Sequence, residues 1–203
     1  MKRYRPTINV MVLARRWTAA AYLVAALLPL PARAATLDEK VQMSGGCHGE
    51  NGVPQENATP IIWGQHLGYL YLQLRDYKRG DRKDDQMTPM AKPLKNAEMN
   101  ELAAYFSKQK AAASSHKSKP ESVEAGAGLA KKYNCSQCHG PRMLGQQHIP
   151  RIAGQQYEYL RTQLRAFKAQ TRADIDGSMT SAIQAVPPQD LEVLADYLAG
   201  LGE

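Results

Sequence analysis

Residues 64–78 (GQHLGYLYLQLRDYK) lie over residues 154–168 (GQQYEYLRTQLRAFK) without a gap, and eight of the fifteen positions are identical. The identities are Gly64, Gln65, Tyr69, Leu70, Gln73, Leu74, Arg75 and Lys78, each with its partner 90 residues on. The register holds on both sides. Cys47-His48-Gly49 falls on Cys138-His139-Gly140, Pro60 on Pro150, Met87 on Met179, and Leu102-Ala103 with Tyr105 on Leu194-Ala195 with Tyr197. The offset drifts only between 90 and 92, so a unit of roughly 80 residues has been duplicated.

Within each copy the apolar spacing is helical. Tyr157, Leu160, Leu164 and Phe167 share one helix face, and Leu191, Leu194, Ala195 and Leu198 share another after Pro187-Pro188. The first copy repeats this with Met99, Leu102, Ala103 and Phe106, and residues 123–133 read as a helix leading into the second cysteine motif. No stretch alternates with period two, so the expected fold is all-α. The run 110–123, rich in Ala, Ser and Lys and holding Pro120, reads as a solvated linker. The expected boundaries are 35–110 for the first domain, 111–122 for the linker and 123–203 for the second domain. A domain so small buries little apolar surface by itself, and a large apolar cofactor at its centre would supply the missing core.

The N-terminus is set aside before charge is interpreted. Residues 1–16 carry Lys2, Arg3, Arg5, Arg15 and Arg16 and no acid, an uncharged stretch runs over 17–32, and Ala32-Arg33-Ala34 offers small residues at the positions a signal peptidase reads. The expectation is an export signal over 1–34, cleaved after Ala34 and removed by general secretion rather than the twin-arginine route. Sixteen residues with two late prolines fall short of the roughly 20 that span a bilayer, which disfavours an uncleaved anchor. Six of the 26 basic residues and none of the 19 acids lie in this segment, leaving 20 against 19. The charge excess therefore belongs to the signal, and a nucleic-acid-binding function is excluded.

Three cysteines, Cys47, Cys135 and Cys138, make an awkward number for a disulfide framework in an exported chain. Cys135-Ser-Gln-Cys138-His139 has the spacing for covalent haem attachment: two thiols three residues apart reach the two vinyl groups of one porphyrin, and the adjacent imidazole lies under the iron. A thioredoxin-like pair wants a βαβ setting that is absent. A zinc site drawing on Cys47, Cys135, Cys138, His48 and His139 needs ligands from both copies. The sixth iron ligand is expected at Met179, 41 residues after Cys138, and at Met87, 40 residues after Cys47. A thioether opposite imidazole favours reduced iron and closes the position where oxygen binds. Met90 rivals Met87, and Met43, Met99 and Met143 read as core filler. A backbone carbonyl at Pro60 and at Pro150 is placed to accept the proximal imidazole N–H, although an ordinary loop proline reads the same way. His66, His116 and His148 are expected to face solvent, His66 being a minor alternative ligand.

These motifs resemble the cytochrome c4 family, tandem class I cytochromes c of bacterial periplasms, over essentially all of residues 35–203. CSQCHG, PRIAGQQYEYLRTQLRAF, Met179 and LADYLAGL carry the resemblance in the second copy; CHGENG, Gly64-Gln65 and QMTPMAKPL carry it in the first. It implies haem bound covalently by Cys135 and Cys138 with His139 and Met179 on its iron, and His48 and Met87 on a second iron. It also implies two small helical bundles related by an approximate two-fold axis, passing electrons between respiratory partners.

The first copy departs from the pattern at Ser44-Gly-Gly-Cys47-His48, because a hydroxyl does not add to a vinyl as a thiol does. Haem held by Cys47 alone, an empty site, and loosely bound haem are the three outcomes. The first is expected, because Cys47, His48, Pro60 and Met87 are all in register and an empty copy keeps a costly hollow. Leu37 in place of Gly128 is a second sign of drift. The leading functional expectation is a free electron carrier holding two haem c groups. Its redox partners are a terminal oxidase, a quinol-oxidising complex or a dehydrogenase, met without nucleic acid or a membrane span. The runner-up is the cytochrome subunit of a periplasmic dehydrogenase oxidising sulfide, thiosulfate or an alcohol. A peroxidase or sensor at a loosened first haem is the third. Lys131-Lys132, Lys92 and Lys95 could steer an acidic partner, but such charges usually form a solvated face.

Overall fold

The computed structural model describes Lys2 and residues 35–202; the expected signal, Lys2 aside, lies outside the described residues. Nine α-helices follow among the described residues: α1 Leu37–His48, α2 Leu67–Arg79, α3 Met87–Ala91, α4 Asn96–Ser107, α5 Pro120–Lys132, α6 Cys135–His139, α7 Tyr157–Lys168, α8 Ser178–Ala182 and α9 Pro188–Ala199. The described residues hold no strand, only an isolated bridge between Gln146 and Ile149. The all-α expectation stands. No helix among the described residues is long and apolar enough to cross a membrane.

Local chemistry sets the helix starts. Thr36 caps α1: its hydroxyl accepts from the Glu39 amide at 3.3 Å while the Glu39 carboxylate accepts from the Thr36 amide at 2.6 Å. Lys40 of α1 reaches Glu98 of α4 at 2.9 Å, joining the first and last helices of the first repeat. Pro120 and Pro188 open α5 and α9 at the first turn, where the missing N–H costs nothing.

Each repeat buries the helix faces that the spacing marked. Leu160, Leu164 and Phe167 of α7 meet Leu191, Leu194, Ala195 and Leu198 of α9 in the second repeat, and Met99, Leu102, Ala103 and Phe106 of α4 meet Leu70 of α2 in the first. The cores are unequal: among the described residues thirteen buried apolar residues cluster in the second and six in the first, where Ile61, Tyr77 and Ala91 are buried outside the cluster. The leading helices differ in the same sense. In the second repeat α5 runs 13 residues and a left-handed Asn134 turns the chain into α6, whereas the 12-residue α1 must serve both roles. Gly126 of α5 sits against α9, where an added Cβ would lie 2.3 Å from Cβ of Tyr197. Gly128 has nothing within 4 Å, so Leu37 at the matching place in the first repeat is not in itself a sign of damage.

The expected solvated linker is a strap on the second repeat. The Ser114 amide donates to Gly154 O at 2.7 Å, the Ser118 hydroxyl to Asp196 O at 2.7 Å, and the Lys119 amide to the Asp196 carboxylate at 3.0 Å. His116, expected in solvent, lies 2.6 Å from the Asp196 carboxylate and stacks on the Tyr157 ring with centroids 5.0 Å apart. Small Ala and Ser side chains let this backbone lie close to α9 and find its partners there. Helix α5 also starts three residues earlier than the first apolar residue, Val123, suggested.

The two repeats meet through polar side chains in which nearly every bond has a mate 90 residues on. The Gln65 amide bonds both backbone groups of Arg151, its Nε2 donating to Arg151 O and its Oε1 accepting from Arg151 N, each at 2.9 Å. Gln155 does the same to Ile61, at 2.9 and 2.7 Å. His66 Nε2 donates to Leu144 O at 2.9 Å, and Gln156 Nε2 to Pro54 O at 3.3 Å. His66 is therefore an interface residue, its Nε2 committed to the opposite repeat, rather than a solvent-facing one; His148 is exposed as expected. Between α2 and α7, Arg82 bonds Gln73, Tyr159 and Gln163, and Arg172 bonds Gln163, Tyr69 and Gln73.

Candidate haem sites

His48 closes α1 and His139 closes α6, and both imidazoles are buried, 6% and 7% exposed. Nδ1 of His48 lies 2.8 Å from Pro60 O and Nδ1 of His139 lies 2.9 Å from Pro150 O. A carbonyl oxygen only accepts, so Nδ1 carries the proton in each ring and Nε2 keeps its lone pair. Burial holds both imidazoles below the ordinary histidine value, against the pull of the proline carbonyls and, at His48, of Asp84. Each ring is thus a neutral, oriented donor, the state a metal-binding imidazole requires. Each proline carbonyl is held at its loop by the glutamine clamp of the opposite repeat, on the next residue.

The thiols keep the same register in their surroundings. Cys47 and Cys138 are exposed; Ser44 and Cys135 are half-buried. Cys135 packs against the second core, and burial pushes its thiol pKa up. Ser44, in the matching place, turns its hydroxyl back to donate to Lys40 O at 2.8 Å. Pairing between the cysteines is absent. Among the described residues no group of three or more His, Cys, Asp or Glu side chains is arranged to hold a metal ion, so the shared zinc site has no basis in the geometry. A buried, neutral imidazole next to a free thiol in each repeat is a donor set that would suit haem c.

Met87 opens α3 and Met179 lies in the first turn of α8, both half-buried, while Met90 is 43% exposed. The two helices start on equivalent carboxylates. Asp84 accepts from the Met87 amide at 2.8 Å and from Gln86 N; Asp174 accepts from the Met179 amide at 3.0 Å and from Thr180 N. Asp84 and Asp174 are 90 residues apart, whereas the methionines are 92 apart, so the offset drift falls between cap and methionine. Met99 and Met143 are core residues as expected; Met43, expected in the core, is 53% exposed.

Sequence reasoning missed both carboxylate caps and the whole repeat interface. The signal was present: Gln65, Tyr69 and Gln73 are identical between copies yet polar, and Arg82 matches Arg172 in register. Polar identity between copies, where a core has no use for it, marks a surface each copy presents to the other. At its centre two buried guanidiniums have phenols and amides as their hydrogen-bond partners. Burial alone would raise the Tyr159 phenol, but Arg82 and Arg172 pull it well below the usual phenol range, while Tyr69 is raised by burial.

Comparison with known proteins decides the family. Cytochrome c4 of Thiocapsa roseopersicina is 35% identical over 172 residues, covering 77% of this chain and 86% of the relative. The chain belongs to the cytochrome c4 family. The general cytochrome c profile matches residues 123–202 of this cytochrome, the repeat with the complete motif. The crystal structure of reduced recombinant cytochrome c4 from Pseudomonas stutzeri superposes with a TM-score of 0.73 at 30% identity, over 83% of this chain and 100% of that one. A protein named thiosulfate dehydrogenase electron acceptor, from Stutzerimonas stutzeri strain A1501, is 30% identical over 202 residues, covering 89% of this chain and 93% of the relative. The protein is an electron-transfer cytochrome of the haem c class, working with redox protein partners rather than as an enzyme.

Proposed function

We propose that the protein is exported to the periplasm, folds as two haem-binding domains over 35–110 and 123–203, and carries one haem c in each. His139 and Met179 ligate the second iron, with Cys135 and Cys138 as thioether anchors; His48 and Met87 ligate the first, anchored by Cys47 alone. The observation that carries this reading is the pair of buried imidazoles, each with Nδ1–H on a proline carbonyl and Nε2 free to donate. Iron between imidazole and thioether supplies a one-electron couple at a raised potential. The chain's own part is to keep that geometry fixed in both oxidation states. Pro60 and Pro150 hold the rings, and Asp84 and Asp174 hold the helices that bear the methionines.

Ser44 matches Cys135 in burial and has its hydroxyl committed to the helix backbone, which supports attachment at Cys47 only. The buried cluster of the first repeat, six residues against thirteen in the second, supports an occupied site, since a haem would complete the smaller core. The test is the intact mass of the periplasmic protein with a pyridine haemochrome spectrum. Two covalent haems on a chain starting at Ala35 are expected; one haem mass refutes the Cys47 attachment, and colourless matured protein refutes the whole reading.

A second reading follows from the 30% similarity to a thiosulfate dehydrogenase electron acceptor over 93% of that relative. The same two haems then receive electrons from the catalytic subunit of a dehydrogenase. Co-purification with such a subunit, and reduction by it on adding thiosulfate, distinguishes this from a carrier between a quinol-oxidising complex and a terminal oxidase.

A further inference from the structure

The carbonyl that accepts from each imidazole and the N–H clamped by the opposite repeat are two ends of one amide. Pro60 O and Ile61 N belong to the same peptide group, as do Pro150 O and Arg151 N. His48 Nδ1–H donates to Pro60 O at 2.8 Å, and across that peptide Ile61 N–H donates to Gln155 Oε1 at 2.7 Å. In the other direction His139 Nδ1–H donates to Pro150 O at 2.9 Å, and Arg151 N–H donates to Gln65 Oε1 at 2.9 Å. Ile61, Gln65, Arg151 and Gln155 are 5%, 5%, 8% and 7% exposed, so these bonds are shielded from water.

Hydrogen bonds on the two ends of an amide polarise one another, and more strongly where the dielectric is low. An acceptor on the N–H shifts electron density onto the carbonyl oxygen, which then accepts more strongly from the imidazole. A ring whose N–H is more strongly bonded is the better electron donor to iron and favours the oxidised state. The glutamine responsible lies in the opposite repeat.

We infer that Gln65 and Gln155 are crossed positioning residues: Gln155 of the second repeat sets the basicity of the first repeat's axial histidine, and Gln65 of the first sets that of the second. This rests on the ligand assignment proposed above. It goes further in making each haem's potential depend on the other half of the molecule. It also gives the two glutamines a role distinct from Gln73 and Gln163, which lie in the same interface and touch neither peptide.

The test uses the full matured protein. Gln65→Met and Gln155→Met keep side-chain length and remove both cross-repeat bonds, together with the one each Oε1 accepts from the next residue's amide, and each potential is followed by spectroelectrochemistry at the haem's own absorption band. Gln155→Met is expected to raise the potential of the first-repeat haem and leave the second in place; Gln65→Met is expected to do the reverse. The imidazole Nδ1–H resonance of the affected ring should move upfield as its bond weakens. Gln163→Met is the control for a loosened interface and is expected to shift neither potential. Equal shifts at both haems, a shift at the glutamine's own repeat, or the same shift from Gln163→Met overturns the inference. Should the wild type carry a single haem, the first-haem attachment fails by itself, and Gln65→Met still tests the crossed relay at His139. If a methionine variant does not mature, Gln→Leu at the same position repeats the measurement, and an unchanged potential in that folded variant counts against the relay.

Discussion

A serine in place of one thiol changes little around it. Ser44 and Cys135 are equally half-buried, their neighbours Cys47 and Cys138 equally exposed, and the imidazoles that follow equally buried. The difference is chemical: Ser44 satisfies itself on Lys40 O within its own helix. Ser44→Cys therefore has space to form a second thioether without moving the backbone. We expect that variant to carry the same number of haems, with the first haem's absorption band shifted to shorter wavelength and that haem better retained in acid. An unchanged spectrum would mean the first site never takes haem. At this scale the sequence was informative where chemistry leaves few options. A buried imidazole needs an acceptor, and the prolines in register supplied it. Gln65 and Gln155 escaped because a polar residue on a helix end ordinarily meets water, and nothing local says its partner is a backbone 86 or 94 residues away.

Among the elements, the helices followed from their apolar faces, since Leu194, Ala195 and Leu198 recur at the helical period and all are buried. Starts and connections were less legible. Pro120 opens α5 because its fixed φ suits a first turn, yet the apolar pattern begins only at Val123, itself 50% exposed. The strap before it has the composition of a flexible linker and is ordered through bonds to α9 that composition does not encode. The crossing of α5 on α9 depends on Gly126, where any side chain meets Tyr197. Gly126→Ala is expected to destabilise the second repeat by about 1–3 kcal/mol through overpacking. Chemical denaturation followed by helical circular dichroism measures it. Gly128→Ala, with open space around it, is expected to be neutral or slightly stabilising, since alanine is the better helix former.

For the molecule as a whole, the assembly of the two repeats is a problem in electrostatics. Arg82 and Arg172 are buried between the repeats, 8% and 7% exposed, and two like charges there repel unless something compensates. Their cation–π contacts, Arg82 over Tyr77 at 4.6 Å and Arg172 over Phe167 at 4.5 Å, offset part of this. The Gln73 and Gln163 amide oxygens accept from both guanidiniums, and the Tyr69–Tyr159 pair adds further relief. Burial works against ionisation, but the two guanidiniums prevail and lower Tyr159 to about 7. A phenol whose folded pKa lies below its unfolded value of about 10 stabilises the fold above that value, and the contribution fades as pH falls through about 7. The repeat interface is therefore expected to tighten from pH 6 to pH 9, the opposite of what a surface lysine interface would do. Thermal unfolding across that range checks it: the midpoint of the wild type should rise, and Tyr159→Phe should flatten the dependence by removing the ionising group. A wild-type midpoint that is level or falling over the same range would mean the guanidiniums are compensated by something other than phenolate.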